Sequence, residues 1–181
     1  MLVRRTAPSL VLTVGHSTRD ALAFSELLRA HEVEGIADVR RFPASRRHPH
    51  FSATALATSL AAGGVAYRHF PELGGRRTAR ADSTNSAWQH PAFRAYADYM
   101  ETAEFARGLE ALIEFAGGVR VAVMCAEAQW WRCHRRLIAD ALVVRSIEVR
   151  HIMSPTTAPP HALTSFARVE GISVRYRHPL A

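Results

Sequence analysis

Val121-Ala122-Val123-Met124-Cys125-Ala126-Glu127, with Trp131-Arg132-Cys133-His134-Arg135-Arg136 close behind it, is the stretch whose reading decides the fold. An apolar run of strand length stops abruptly. Between Cys125 and Arg136 come both cysteines of the chain, one Glu, one His and three Arg. A helical period follows at once. A buried strand that feeds a helix through a polar turn is the unit of an open α/β sheet, and such folds bind ligands at the strand ends.

The same alternation extends outward in both directions. Leu10–His16 reads as a first strand, and Leu22, Phe24, Leu27 and Leu28 mark a helix to about His31, capped by Asp20 or Thr18. Gly35–Arg40 is a second strand. Ser52 caps a helix over Ala53–Ala62 that Gly63-Gly64 stops, and Val65–Phe70 is a third strand. Pro71–His90 is a long polar connection of the kind that forms lids. Pro91 opens a helical stretch carrying Tyr96 and Tyr99, and Ala103–Phe115 is a further helix. After the fourth strand, Val119–Ala126, come a helix over Arg132–Arg145 and a strand over Glu148–Met153. Leu163–Glu170 reads as a short helix and Ile172–Tyr176 as an edge strand. The expected fold is therefore α/β, a single domain over 1–181. Its mainly parallel sheet has about five to six strands flanked by helices, in a Rossmann-like arrangement.

The ends of the first four strands share a character. They carry Gly15-His16-Ser17, then Asp38-Val39-Arg40, then Glu72 with Gly74-Gly75-Arg76-Arg77, then Cys125-Ala126-Glu127. A parallel sheet brings these ends to one edge, so one crevice is expected there. On the last long helix a wheel places His134 near the centre of the apolar face of Leu137, Ile138, Ala141, Leu142 and Val144. It puts Cys133 at the margin and Arg136 in solvent. A buried histidine bonded to a backbone carbonyl would meet the same pattern.

Cys125 is either a nucleophile, its thiol lowered by the following helix N-terminus, or a small apolar wall residue. The C-x6-R spacing to Arg132 is one residue longer than the C-x5-R loop of cysteine-dependent phosphatases and some rhodaneses, which argues against a phosphatase of that kind. Cys125, Cys133 and His134 are ligand types that suit zinc or iron, but C-x7-C-H is not a finger or ribbon spacing, so no metal is assigned. Glu127 is the expected acid/base carboxylate, with His16 as the other proton-moving group. Arg40, Arg76 and Arg135 are expected to hold an anion.

Composition narrows the partners. The chain has 181 residues, 48% hydrophobic, with a net charge of +7 and two cysteines. Mean hydropathy is −0.07 and the pI about 10.6. All 23 basic residues are Arg. No stretch is long and apolar enough for a bilayer or for a signal peptide, and no disulfide framework is evident; a cytoplasmic protein without a membrane partner is expected. The Arg-only basic set is what a genome biased to Arg codons produces, yet the positive balance favours a phosphate-bearing partner, either a small molecule or a nucleic acid.

With these pieces in view the chain resembles the family known as domain of unknown function 488. The matching pieces are Thr13-Val14-Gly15-His16-Ser17-Thr18, Asp38-Val39-Arg40 with Pro43 and Ser45-Arg46-Arg47, and Pro71-Glu72-Leu73-Gly74-Gly75-Arg76. Tyr96-Ala97-Asp98-Tyr99-Met100 and Met124-Cys125-Ala126-Glu127 with Arg132-Cys133-His134-Arg135 complete them. They run from about residue 11 to 152, leaving 153–181 as an extension. The resemblance implies a compact α/β protein and places Gly15, His16, Ser17, Asp38, Arg40, Glu72, Cys125, Glu127, Cys133, His134 and Arg135 in one motif set. It implies no reaction and no cofactor. The leading expectation is an enzyme, a hydrolase or transferase, acting on a phosphate-bearing ligand such as a nucleotide or nucleic-acid end. The alternatives are a non-catalytic nucleic-acid-binding module and a Cys/His metal-binding protein.

Overall fold

The computed structural model describes residues 8–178. Strands β1 (Leu10–Gly15), β2 (Gly35–Asp38), β3 (Ala66–His69), β4 (Val121–Cys125) and β5 (Glu148–Ile152) form one parallel sheet in the order β3-β2-β4-β1-β5. The register sets Gly15 beside Cys125 and Asp38 beside Met124. The Rossmann-like α/β expectation is thus met with five strands. Strand β3, alternately exposed and half-buried, is one edge of the sheet.

Side-chain alternation divides the core in two, because successive residues of a strand face opposite ways. Leu12, Val14, Ile36, Ala122 and Met124 pack on Phe24, Leu27 and Leu28 of α1 (Ala21–Ala30) and on Leu56 and Leu60 of α2 (Ala53–Ala62). Val11, Ala37, Val121, Val123 and Val149 face the other way, toward α3 (Pro91–Tyr99), α4 (Ala103–Ala116) and α5 (Arg135–Val143). The chain therefore leaves β1 and β2 for one face and β3 and β4 for the other. Connections that part in this way open a crevice above the strand ends.

Local chemistry sets the helix ends. Asp20, rather than Thr18, caps α1, accepting from the Ala23 amide at 2.7 Å. Ser52 occupies the cap position of α2 without a side-chain bond to it. Gly64, at φ +74°, takes the left-handed conformation that ends α2, as the Gly63-Gly64 pair predicts.

Four expectations are corrected. Helix α5 begins at Arg135, not Arg132, because Trp130–Arg132 winds as a 3-10 turn and Cys133 is extended at φ −122°, ψ 150°. The wheel cannot be carried back through that break. Arg136 does not point into solvent: it packs over Trp88 at 4.9 Å and donates to Thr164 Oγ1. Leu163–Glu170 is not a helix, and the last strand is not an edge of the main sheet. Instead β6 (Arg168–Glu170) and β7 (Ser173–Arg175) form a separate antiparallel hairpin. Gly171, at φ +63°, occupies the first position of its two-residue turn, where glycine is favoured. Just beyond the hairpin Tyr176 is buried, its hydroxyl donating to Asp140 and its amide to Asn85 Oδ1. The extension thus closes the face that holds α5.

The long 71–90 connection is anchored rather than loose. Arg77 lies over the Tyr99 ring at 3.5 Å and donates to the Gly74 and Pro71 carbonyls. Asn85 donates to Asp98 and Glu101. Among the described residues no helix is long and apolar enough to cross a membrane.

Candidate functional site

Three adjoining hollows of about 350, 480 and 440 Å³ run across the carboxyl ends of β1, β2 and β4. The first shares Gly75, Arg76, Cys125 and His134 with the second, and His16, Ala44 and Ser45 with the third, so they form one crevice. Gly15 makes the closure of its floor feasible. A Cβ there would lie 2.0 Å from the Glu127 carbonyl oxygen, so only glycine lets the loop after β4 cross β1.

At the centre Asp38, fully buried, accepts from Arg40 Nε at 2.9 Å and Nη2 at 2.6 Å, and from the Tyr67 hydroxyl at 2.7 Å. Burial and then the Asp38 charge push the Tyr67 hydroxyl above its ordinary range, so it stays a donor. Arg40 Nη1 reaches the Phe51 carbonyl and His16 Nε2. His16 lies against the Ser17 carbonyl through Nδ1 and stacks on Phe51 at 4.1 Å. A carbonyl can only accept, so Nδ1 carries the proton and Nε2 accepts from Arg40. Burial, reinforced by the Arg40 charge, lowers His16 to about 4. It is a neutral strut of the crevice wall at physiological pH.

The turn after β3 supplies the facing wall. Arg76 is exposed, with its backbone at φ +57°; across the crevice Ser17 has φ +52°. Of the four non-glycine residues with left-handed backbone among the described residues, these two flank the crevice; the others are Glu32 and Ser146. Gly75 abuts His134, and a Cβ would lie 2.9 Å from Nδ1.

Cys125, Cys133 and His134 meet beneath Gly75, their donor atoms all within 4.8 Å of one another. His134 Nε2 donates to the Val39 carbonyl at 3.1 Å, which leaves Nδ1 free as an acceptor, 3.6 Å from Cys133 Sγ. That carbonyl bond is the one expected of a structural histidine. Arg135, 1% exposed, donates through Nε to Cys133 Sγ at 3.4 Å and through Nη2 to the Glu127 carbonyl. The two thiols are driven in opposite directions. The hydrogen bond to Cys133, then burial, pushes Cys125 well up. Burial opposes ionisation of Cys133, but the hydrogen bond from Cys125 and the Arg135 charge overcome it and bring that thiol well down.

Most residues expected at the site converge. Gly15, His16, Ser17, Arg40, Arg76, Cys125, Glu127, Cys133 and His134 form or line the crevice, and Asp38 supports it from beneath. Glu127 is exposed, with its carboxylate accepting from the Gln129 amide. Glu72 is not among the lining side chains; its carbonyl takes the Tyr99 hydroxyl. Nor does Arg135 line the crevice, since it is spent on Cys133 and the loop after β4. Sequence reasoning missed Tyr67, although it lies two residues before His69, the register partner of Asp38, and so on the same side of the sheet. Arg41, Phe42 and Arg132 also line the crevice and were not singled out as ligand groups.

A second polar chain crosses the core beside the site. Asp140 accepts from His161 Nε2 at 2.8 Å, His161 Nδ1 meets His151 Nε2 at 2.9 Å, and His151 Nδ1 meets Thr13 Oγ1 at 2.7 Å. A proton is required on His161 Nε2, so the chain runs from Thr13 to Asp140 in one direction. Trp130 stacks on His151 at 3.9 Å. Burial, then His161 and Arg135, lowers His151 to about 3. In the unfolded chain both His151 and His16 regain 6.5, so below pH 6.5 that chain binds more protons. Stability is therefore lost as pH falls, down to about 4 for His16 and about 3 for His151. With partial screening allowed for, urea unfolding at pH 5 should give about 2 kcal/mol less than at pH 7.5. Equal stability at the two pH values would refute the assignment of both rings as neutral.

A larger cavity, about 830 Å³, lies at the other end of the sheet between α1 and α2, lined by Leu22, Glu26, Glu32, Glu34 and Arg120 among others. It gathers no cysteine and no histidine, so size does not make it the site.

Searches of curated proteins and of solved structures find no match to the chain. The model of one family, Domain of unknown function DUF488, matches residues 20–142, a span that holds Asp38, Arg40, Arg76 and the Cys125–Arg135 cluster and begins just after the Gly15-His16-Ser17 turn. The match covers more than half of the chain, and the chain belongs to the DUF488 family.

Proposed function

We propose that the crevice binds a phosphate-bearing ligand, a nucleotide or a nucleic-acid end, and that the protein acts on it as a hydrolase or transferase. One observation carries the reading. Arg41, Arg46, Arg47, Arg76 and Arg132 line the crevice with exposed side chains, against the single carboxylate of Glu127. Asp38 already neutralises Arg40, so the free positive charge belongs to the exposed set. Planar guanidinium groups converging on a hollow suit phosphate oxygens. In this reading Arg76 and Arg132 hold the phosphate, Glu127 accepts the proton, and Arg40, His16 and Arg135 position the walls.

The test compares a nucleoside triphosphate and a 5′-phosphorylated oligonucleotide with the corresponding nucleoside by calorimetric titration. The phosphorylated probes should bind, and the Arg76→Gln/Arg132→Gln double variant should weaken them at least about tenfold. Equal binding of the bare nucleoside, or an unweakened double variant, would sink the proposal. Glu127→Gln should leave the circular dichroism and unfolding midpoint unchanged while turnover of the bound probe drops by about a hundredfold or more. Retained turnover would remove Glu127 from the chemistry.

A second reading has its own support. Phe42 is 65% exposed and Trp131 41%, and Phe42 lines the crevice with Arg41 while Arg46 and Arg47 extend it. Exposed aromatics among arginines suit stacking on single-stranded nucleic acid. That reading predicts a steep salt dependence that neutralising Arg46, Arg47 and Arg76 together would flatten. Arg77 has no part in it, being held by Tyr99 and Gly74.

A further inference from the structure

We propose that Cys125, Cys133 and His134 bind one zinc ion whose fourth coordination position opens into the crevice. The inference is independent of the phosphate reading, since it stands on the donor set alone.

The geometry is close to what zinc requires. Bonds of about 2.3 Å to sulfur and about 2.0–2.1 Å to nitrogen give tetrahedral edges of roughly 3.8 Å between two sulfurs and roughly 3.6 Å between sulfur and nitrogen. The Cys133 Sγ to His134 Nδ1 separation is 3.6 Å, and all three donors lie within 4.8 Å. Small side-chain rotations close the remaining gap. The imidazole is already oriented for the task. Its Nε2–H donates to the Val39 carbonyl, which fixes the tautomer and turns Nδ1 toward the sulfurs. Arg135 donates to Cys133 Sγ as an outer-sphere partner of the thiolate would.

Space and access are also present. Gly75 leaves open the volume beside Nδ1 that any larger residue would fill. Both hollows that meet at Cys125 and His134 reach solvent, so an ion has an entry path and a fourth ligand has room. Two thiolates and one imidazole with an open position is a ligand set of catalytic zinc sites, whereas structural sites are closed by four protein donors. Binding would displace thiol protons to solvent and cross-link β4 to the start of α5.

The experiment uses full-length protein freed of any affinity tag. Titration with Co2+ should reach one equivalent and show the intense visible bands of tetrahedral cobalt, with sulfur-to-metal charge transfer in the near ultraviolet. Zn2+ should displace it stoichiometrically. Cys125→Ser and Cys133→Ser should each lose about half of the charge-transfer intensity, and His134→Gln should weaken binding at least about tenfold. If a variant fails to fold, the wild type still decides the matter. One equivalent of Zn2+ should protect both thiols from alkylation, counted by mass spectrometry, and should raise the unfolding midpoint. Binding of less than about a tenth of an equivalent, or unchanged alkylation of both thiols, would overturn the proposal.

Discussion

Replacing Gly15 by Ala should destabilise the protein by at least about 3 kcal/mol, and in the limit prevent folding. The added methyl would sit 2.0 Å from the Glu127 carbonyl oxygen and 2.7 Å from the Ala128 Cα. Both are backbone atoms, so no side-chain rotation relieves the clash. Gly15 is hydrogen-bonded into the sheet beside Cys125, and the two residues after it bond to the same crossing segment, His16 to the Cys125 carbonyl and Ser17 to that of Ala126. The loop cannot retreat without breaking those bonds and the Arg135 contact to Glu127. Urea unfolding of the variant measures the loss. A change below about 1 kcal/mol would mean that the loop does not cross β1 at this height.

Asp38→Ala should cost about 3–5 kcal/mol, the range for breaking a buried ion pair from one side. Arg40 would keep its bonds to Phe51 and His16 but hold a buried positive charge with no counter-ion. Tyr67 would also lose its acceptor. The double variant Asp38→Ala/Arg40→Met, which removes both charges, should recover much of the loss, because an apolar replacement of a whole buried pair is often nearly neutral. Equilibrium unfolding of the two variants separates the cases. If the double variant is as unstable as the single, the cost lies in a cavity and not in the charge.

The part of this architecture legible in the sequence is the part written in local pattern. Val121–Met124 announces a buried strand through an unbroken apolar run and Leu10–Val14 through its β-rich composition, and the strand ends announce the crevice because a parallel sheet has only one carboxyl edge. Strand order was not legible. Right-handed crossovers restrict it but do not say that β4 inserts between β2 and β1, which depends on long-range packing. The start of α5 was misread because one period was assumed through Arg132–His134, where the end of a 3-10 turn and the extended Cys133 break it. Arg135 rather than His134 then becomes the most buried of the cluster. Its desolvation is tolerated through bonds to Cys133 Sγ and two carbonyls that only the folded loop provides. The hairpin of the extension was missed because Leu163–Glu170 reads as a short helix, so its last three residues were not paired with the strand that follows Gly171.

The sheet order also bears on how this molecule can be divided. The stretch that carries the family signature, residues 20–142, omits β1 and β5. Yet β1 is an inner strand, pairing with β4 on one side and β5 on the other. Excising the signature would strip β4 of one neighbour and expose its unpaired amides, and it would leave Asp140 without His161, Thr164 and Tyr176. The unit by which kinship is recognised is therefore smaller than the unit that can be transplanted. A graft meant to carry the crevice to another protein must extend from before Leu10 to beyond Tyr176.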